Sequence, residues 1–249
     1  MSRIQDLTII TTRRRGPIGK LLLCLFVVMA FSCGHKDTSS PPSTTNDIWD
    51  IDKNGIPKFV STNYIELASI GRISKYRSSE GHDYSDAFEH CRSMKHYYEP
   101  KNGMDWSLVK ILAPVTGTIT RVEQEWAGLK IEIASDDYPA FRFTIFHVNS
   151  PTARVVSDKV KAGDQLGTHI GSQTMSDIAV MVNDPTRQGR LVSYFDVMTD
   201  VLFAEYANRG VSTRSAMIIP KELRDANPLA CNGETFTTTS TLENWVALQ

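Results

Sequence analysis

The chain has 249 residues, enough for one large domain or two small ones at roughly 100–200 residues each. With 41% hydrophobic and 22% charged residues, 15 Gly and 11 Pro, it excludes wholesale disorder, a collagen-like repeat and a polytopic membrane protein. Lys plus Arg (27) balances Asp plus Glu (28), a net of -1 that leaves no basic footprint for nucleic acid, and four Cys are too few for a disulfide-built scaffold.

Residues 21–32 read LLLCLFVVMAFS, an apolar run too short for a bilayer core, which needs about 20 residues. Arg13, Arg14, Arg15 and Lys20 stand before it, so residues 1–32 read as a signal peptide rather than a buried helix. The run ends at Ala30-Phe31-Ser32-Cys33-Gly34, which resembles a bacterial lipoprotein cleavage site with Cys33 as the lipidated first residue. Ala30-x-Ser32 also fits ordinary signal-peptidase cleavage, which would give a soluble secreted product. Residues 34–47, GHKDTSSPPSTTND, have no apolar face to bury, so 33–55 is expected to be the lipidated Cys and a flexible tether. The expectation from these features is an exported chain in a bacterial envelope, anchored to a membrane by a lipidated Cys33.

Removing residues 1–32 takes away five basic residues and one acidic, leaving 22 and 27, a net of -5. Cys24 goes with them. With Cys33 acylated, Cys91 and Cys231 remain, and an even pair in an oxidising compartment predicts a disulfide, the alternative being two buried thiols.

The domain is expected over 56–249. Short apolar pieces run from Phe59 to Ile73, and residues 80–107 look irregular. Val109–Leu112, Gly117–Val122, Leu129–Ile133 and Phe141–Phe146 then read as strands, three of them alternating at period 2, with a turn at Asp136–Pro139. Ile178–Val182 is a continuous apolar run suited to a buried strand. Ser193 with Asp196 resembles a capping box opening a helix to about Asn208, with Tyr194, Met198, Val201 and Leu202 on one face and Gly210 beyond its end. Pro220–Ala226 suggests a second short helix. No internal repeat of fixed period is present.

The chemistry-bearing stretches come in a definite order: Ile73-Ser74-Lys75-Tyr76-Arg77, His82-x-x-x-Asp86, Ala113-Pro114-x-x-Gly117-x-Ile119, Phe146-His147-Val148 and Val160-x-x-Gly163-Asp164-x-Leu166-Gly167. Over about residues 65–198 this resembles the lysostaphin/LytM-type zinc endopeptidases. The resemblance implies a mainly β fold, an open antiparallel barrel or sandwich of the duplicated hybrid motif type, here with a helical tail over 193–249. It also implies zinc held by His82, Asp86 and a third ligand from a later H-L-H strand, with His147 a catalytic histidine if the site is active. That strand aligns with Asp177-Ile178-Ala179, where Ala179 offers no donor atom and Asp177 no neutral imidazole. Tyr84 stands where the family has Gly, and about twenty extra residues follow Asp86. His90, His96 and His169 are further imidazoles within the domain, with His169 the candidate substitute ligand. Biotinyl and lipoyl carriers share the A-P and G-D elements, but no Lys lies between Asp164 and Lys221 to be modified.

The resulting expectation is an envelope-tethered, non-catalytic LytM-like domain that binds peptidoglycan or an envelope protein and holds zinc weakly if at all. An active zinc endopeptidase with a substituted ligand, and a structural spacer lipoprotein, are the alternatives. Tyr97 and Tyr98 are expected to stack on a ligand in the groove.

Overall fold

A computed structural model describes residues 47–249. The signal segment, Cys33 and most of the expected tether lie outside those residues. The packed part begins earlier than position 56. Trp49 stacks edge-on against Tyr138 at 5.4 Å, its backbone N–H donates to Asn183 O at 3.0 Å, and Ile51 is buried. Residues 49–55, including the one-turn helix α1 (Ile51–Asn54) capped by Asp50, are therefore part of the domain rather than of the tether.

Thirteen short strands follow in chain order: β1 (Ile70–Ser74), β2 (His96–Pro100), β3 (Lys110–Leu112), β4 (Gly117–Glu125), β5 (Gly128–Ser135), β6 (Phe141–Asn149), β7 (Lys159–Val160), β8 (Gln165–His169), β9 (Ser176–Asn183), β10 (Gln188–Val192), β11 (Cys231–Asn232), β12 (Thr235–Phe236) and β13 (Trp245–Ala247). Eleven of them form one open antiparallel sheet, running β13-β1-β2-β9-β6-β5-β4-β7, with β10 also on β9 and the β3–β8 pair joined through β6. The fold is mainly β, as the alternating runs predicted. Among the described residues no helix is long and apolar enough to cross a membrane.

The strand pattern explains the motif glycines. A Cβ on Gly117 would lie 2.1 Å from Ala134 O, and one on Gly167 2.2 Å from Asn149 O, so strands pass too close there for any side chain. In β9, Ile178, Val180 and Val182 enter the main core beside Phe141, Phe143 and Ile145 of β6, which leaves Asp177 and Ala179 to the opposite face.

Two expectations about elements change. The stretch 80–107 contains β2, which pairs with both β1 and β9 and so lies inside the sheet. Its sequence, HYYEP, has the aromatic content of a strand but is short and ends in Pro. The expected helix from Ser193 to Asn208 is two helices. Ser193 caps α2 (Tyr194–Val197), Met198 is extended, and Thr199 caps α3 (Asp200–Ala207) by accepting from Leu202 N at 3.2 Å. The break turns Val201, expected on the buried face, to 82% exposure, while Met198 and Leu202 stay buried. After α4 (Lys221–Ala226) the tail stops being helical, forming the β11–β12 hairpin and then edge strand β13 on β1.

Candidate functional site

β2, β6 and β9 bring three ionisable side chains together on the face away from the core. Lys95, immediately before β2, is almost fully buried, and its Nζ lies 2.5 Å from Asp177 Oδ2 in β9. His147 in β6 places Nε2 3.2 Å from Asp177 Oδ1. On the other side of the ammonium, His82 Nε2 lies 3.2 Å from Lys95 Nζ. Tyr84, Tyr97 and Phe146 surround the same ammonium, with ring centroids at 4.6, 5.0 and 4.1 Å.

His82 turns Nε2 to the Lys95 ammonium, which can only donate, and Nδ1 to Asp83 O at 2.9 Å. His147 faces an acceptor at each nitrogen, Ala127 O at 3.0 Å from Nδ1 and Asp177 at Nε2. Burial alone would lower the His147 pKa, but the Asp177 carboxylate outweighs it and raises the pKa. Lys95 follows the same logic: burial opposes its charge, Asp177 overrides, and its pKa lies well above the ordinary lysine value. Burial pushes the Asp177 carboxyl up, while Lys95 and His147 pull it down further, so it stays ionised.

Lys95, His82 and His147 line a groove of about 720 Å³ that opens past Trp126 at the β4–β5 turn, with Asp177 buried beneath them. One wall is the β11–β12 hairpin: Glu234 and Thr235 line the groove, Glu234 O accepts from Asp83 N at 2.7 Å, and the Glu234 carboxylate lies 3.7 Å from His82 Nδ1. The hairpin is tied down by the Cys91–Cys231 disulfide, with Cα atoms 5.7 Å apart, the pair expected from cysteine counting. A neighbouring depression of about 1030 Å³ shares Trp126, Thr174 and Met175 with the groove.

Of the remaining predicted site residues, His169 packs beside the cluster, its ring centroid 6.3 Å from that of His147, and the others fall elsewhere. Asp86 does not line the His82 groove. Its Oδ1 accepts from the Phe88 and Glu89 amides at 2.9 and 3.0 Å and its Oδ2 from Leu191 N at 3.1 Å, in a separate depression beside Arg77 and Arg190. The carboxylate is spent on three backbone amides, so His82 and Asp86 are not brought together as a ligand pair. His169 is fully buried, stacked on Trp106 at 4.3 Å, and accepts from Gly171 N at 3.2 Å. Burial lowers its pKa to about 4, and it faces neither His82 nor Asp86. His96 is a core residue held between Ser74 O and Ser193 Oγ, each at 2.8 Å, with its pKa lowered to about 4 by burial. His90 is exposed. Tyr98 is wholly inside the core and Tyr97 is 3% exposed, so neither ring is free to stack on a ligand. Trp126, 78% exposed at the groove mouth, is the aromatic available for that, and its turn position hid it from a reading based on periodicity.

Lys95 is the residue that sequence reasoning missed. Nothing marks it in the sequence except a basic residue at the start of an aromatic run. Zinc as the resemblance implies it does not fit these residues: Asp86 is committed to amides, Ala179 has no donor, and an ammonium already lies between His82 and Asp177. Among the described residues no group of three His, Cys, Asp or Glu stands arranged to hold a metal.

No family model matches the chain, and no curated protein matches it. Similar solved structures include a protein named as a glycyl-glycine endopeptidase, lytM, of Ruminococcus gnavus (17% identity, TM-score 0.35, covering 44% of this chain and 46% of that one). Another is the SpoIIQ–SpoIIIAH pore-forming complex (13% identity, TM-score 0.41, 59% and 96%). A third is the catalytic domain of lysostaphin from Staphylococcus simulans (19% identity, TM-score 0.30, 43% and 87%). The chain thus spans about half the length of the first of these, 46%. The peptidases among them carry the lysostaphin/LytM names that the sequence motifs resemble.

Proposed function

We propose that this chain is an exported, envelope-tethered LytM-like domain that binds peptidoglycan, or an envelope protein that remodels it, without cleaving it. The observation that carries the reading is the Lys95–Asp177–His147 cluster on the groove floor. Hydrolysis needs an activated water and a group to take its proton. His147 turns its two ring nitrogens to Ala127 O and to the Asp177 carboxylate, which raises its pKa, and Asp177 is buried from the groove and held ionised beside Lys95. What the groove retains is charge of both signs, Lys95 and Lys130 with Glu125 and Glu234 along its lining and Asp177 paired with Lys95 beneath it. An exposed Trp126 at the mouth supplies an aromatic face for a sugar ring or peptide plane.

The test is co-sedimentation of the purified exported protein with isolated sacculi, with the released muropeptides analysed in parallel. The expected result is binding without release, weakened about tenfold (roughly 1.4 kcal/mol) by Trp126→Ala. Chelator-sensitive release of muropeptides would overturn the reading and restore a working peptidase.

A further inference from the structure

We propose that the depression holding Asp86 is a second binding site, separate from the groove, for a small zwitterion of the amino-acid class. The ligand's ammonium group meets the Asp196 carboxylate inside, and its carboxylate meets the Arg187 guanidinium at the rim.

The depression has a volume of about 180 Å³. Pockets for drug-sized ligands run to roughly 300–1,000 Å³, so its occupant is a small molecule. Most charges on its wall are already matched. Asp86 accepts from three backbone amides, Arg77 grips Glu89 through hydrogen bonds at 2.6 and 2.7 Å, Arg190 pairs with Asp52 at 2.8 Å, and Lys221 pairs with Asp225. Three groups on the wall are left over.

The first is the half-buried Asp196 carboxylate, which makes no hydrogen bond or ion pair among the described residues. Its spacing from Ser193 predicts a capping box, but only half of one forms: Ser193 Oγ accepts from Phe195 N at 3.2 Å, and Asp196 does not reach back. Helix capping therefore does not account for the carboxylate. Burial raises its pKa, while the charges of Arg214 and Arg77 oppose the rise from beyond ion-pair distance. A carboxylate so placed gains from a cation that enters beside it. The second group is the Tyr76 hydroxyl, on a side chain 2% exposed, which has no partner. Burial raises the Tyr76 pKa well above the ordinary tyrosine value, and the nearby Glu89, Asp86 and Asp196 carboxylates add to the rise against Arg77. An ammonium has three donors, enough for both Asp196 and this phenol oxygen. The third group is Arg187, exposed and without a carboxylate among the described residues, its guanidinium 5.6 Å from the Phe88 ring. One unmatched anion inside and one unmatched cation at the rim describe a zwitterion that enters ammonium first. A simple anion would meet Asp196, and a simple cation would leave Arg187 unmatched. Arg77, on the same wall, has φ 65°, a left-handed conformation of the kind that gathers at ligand sites.

The inference does not rest on the peptidoglycan reading, and either can fail alone. The experiment titrates the full exported chain with alanine by calorimetry, with methylammonium and acetate as single-charge controls and circular dichroism as the check on folding. One alanine per chain is expected, bound about tenfold or more tightly than either control. Asp196→Asn, which keeps the side chain's size and removes its charge, should weaken alanine about tenfold. Arg187→Ala, at an exposed position, should weaken alanine and leave methylammonium unchanged. If Asp196→Asn does not fold, Arg187→Ala gives the reading by itself. The proposal is overturned if alanine does not bind and the depression holds water only, if a single-charge control binds as tightly as alanine, or if either folded variant binds alanine as wild type does.

Discussion

Asp177 lies at zero exposure, and its charge is tolerable only because Lys95 and His147 sit against its two oxygens. Removing one partner of a buried pair strands the other, at a cost of about 3–5 kcal/mol. Lys95→Met should therefore lower the urea midpoint sharply, while Lys95→Met/Asp177→Asn, which removes both charges, should recover much of the loss. A double variant as unstable as the single one would mean that packing around the lysine stem, not charge, holds the site. A second buried network offers a pH test. Burial raises the Glu89 pKa, but hydrogen bonds from Arg77 at 2.6 and 2.7 Å and the nearby Arg92 outweigh it, so the folded-state pKa lies below the ordinary glutamate value. A depressed carboxylate pKa contributes stability that is present above the unfolded value, near pH 4.5, and is lost as the pH falls through the folded value. Glu89→Gln should accordingly be less stable than wild type at pH 7. The two stability curves should converge as the pH falls from about 4.5 through the folded-state pKa of Glu89. Parallel curves would rule out this linkage.

At the scale of elements, β9 decides what the groove can do. Its alternation sends Ile178, Val180 and Val182 into the core and leaves positions 177 and 179 for the other face, the spacing at which an H-x-H pair would stand. Rebuilding the sequence motif is nevertheless not enough. Ala179→His alone is expected to give no tight zinc binding, because Lys95 remains in place and Asp86 still caps the Phe88, Glu89 and Leu191 amides. Zinc uptake by this single variant, measured as metal per chain after dialysis, would show that Asp86 can leave those amides. The break between α2 and α3 is equally local. Thr199 Oγ1 satisfies an amide that the preceding helix cannot reach, and Thr199→Ala should cost about 1 kcal/mol of stability to chemical denaturation.

For the whole molecule, the Cys91–Cys231 bond joins the segment after His82 to the hairpin that walls the groove, across 140 residues of chain. Reduction, or Cys91→Ser with Cys231→Ser, should cost about 2–5 kcal/mol and free the Glu234 wall, so that both stability and sacculus binding fall together. Unchanged binding in the destabilised variant would separate the hairpin from the binding surface. Cys33 belongs to this scale as well. A Cys33→Ser protein is expected in the soluble envelope fraction, and full solubility of wild type after export would remove the lipid tether from the proposal.

The β architecture was legible in the residues because period-2 runs such as 117–122 and 141–146 need only local alternation to declare themselves. The disulfide was legible too, since it rested on counting. The glycines of the A-P and G-D motifs carried the fold because close strand approach forbids any side chain there. The loss of the H-L-H pair was also visible in Asp177 and Ala179. What replaced it was not, because Lys95 and Asp177 are distant in the chain and meet only when β2 pairs with β9, in a strand whose short, Pro-ended sequence gave little sign of lying inside the sheet. The fate of Asp86 was hidden for the same reason. Motif spacing places a carboxylate near a histidine, but whether its oxygens face a groove or backbone amides depends on where Leu191 lies in the folded chain. Residue types thus determined which groups could carry charge, and tertiary pairing alone decided that the cation at the groove floor is a lysine.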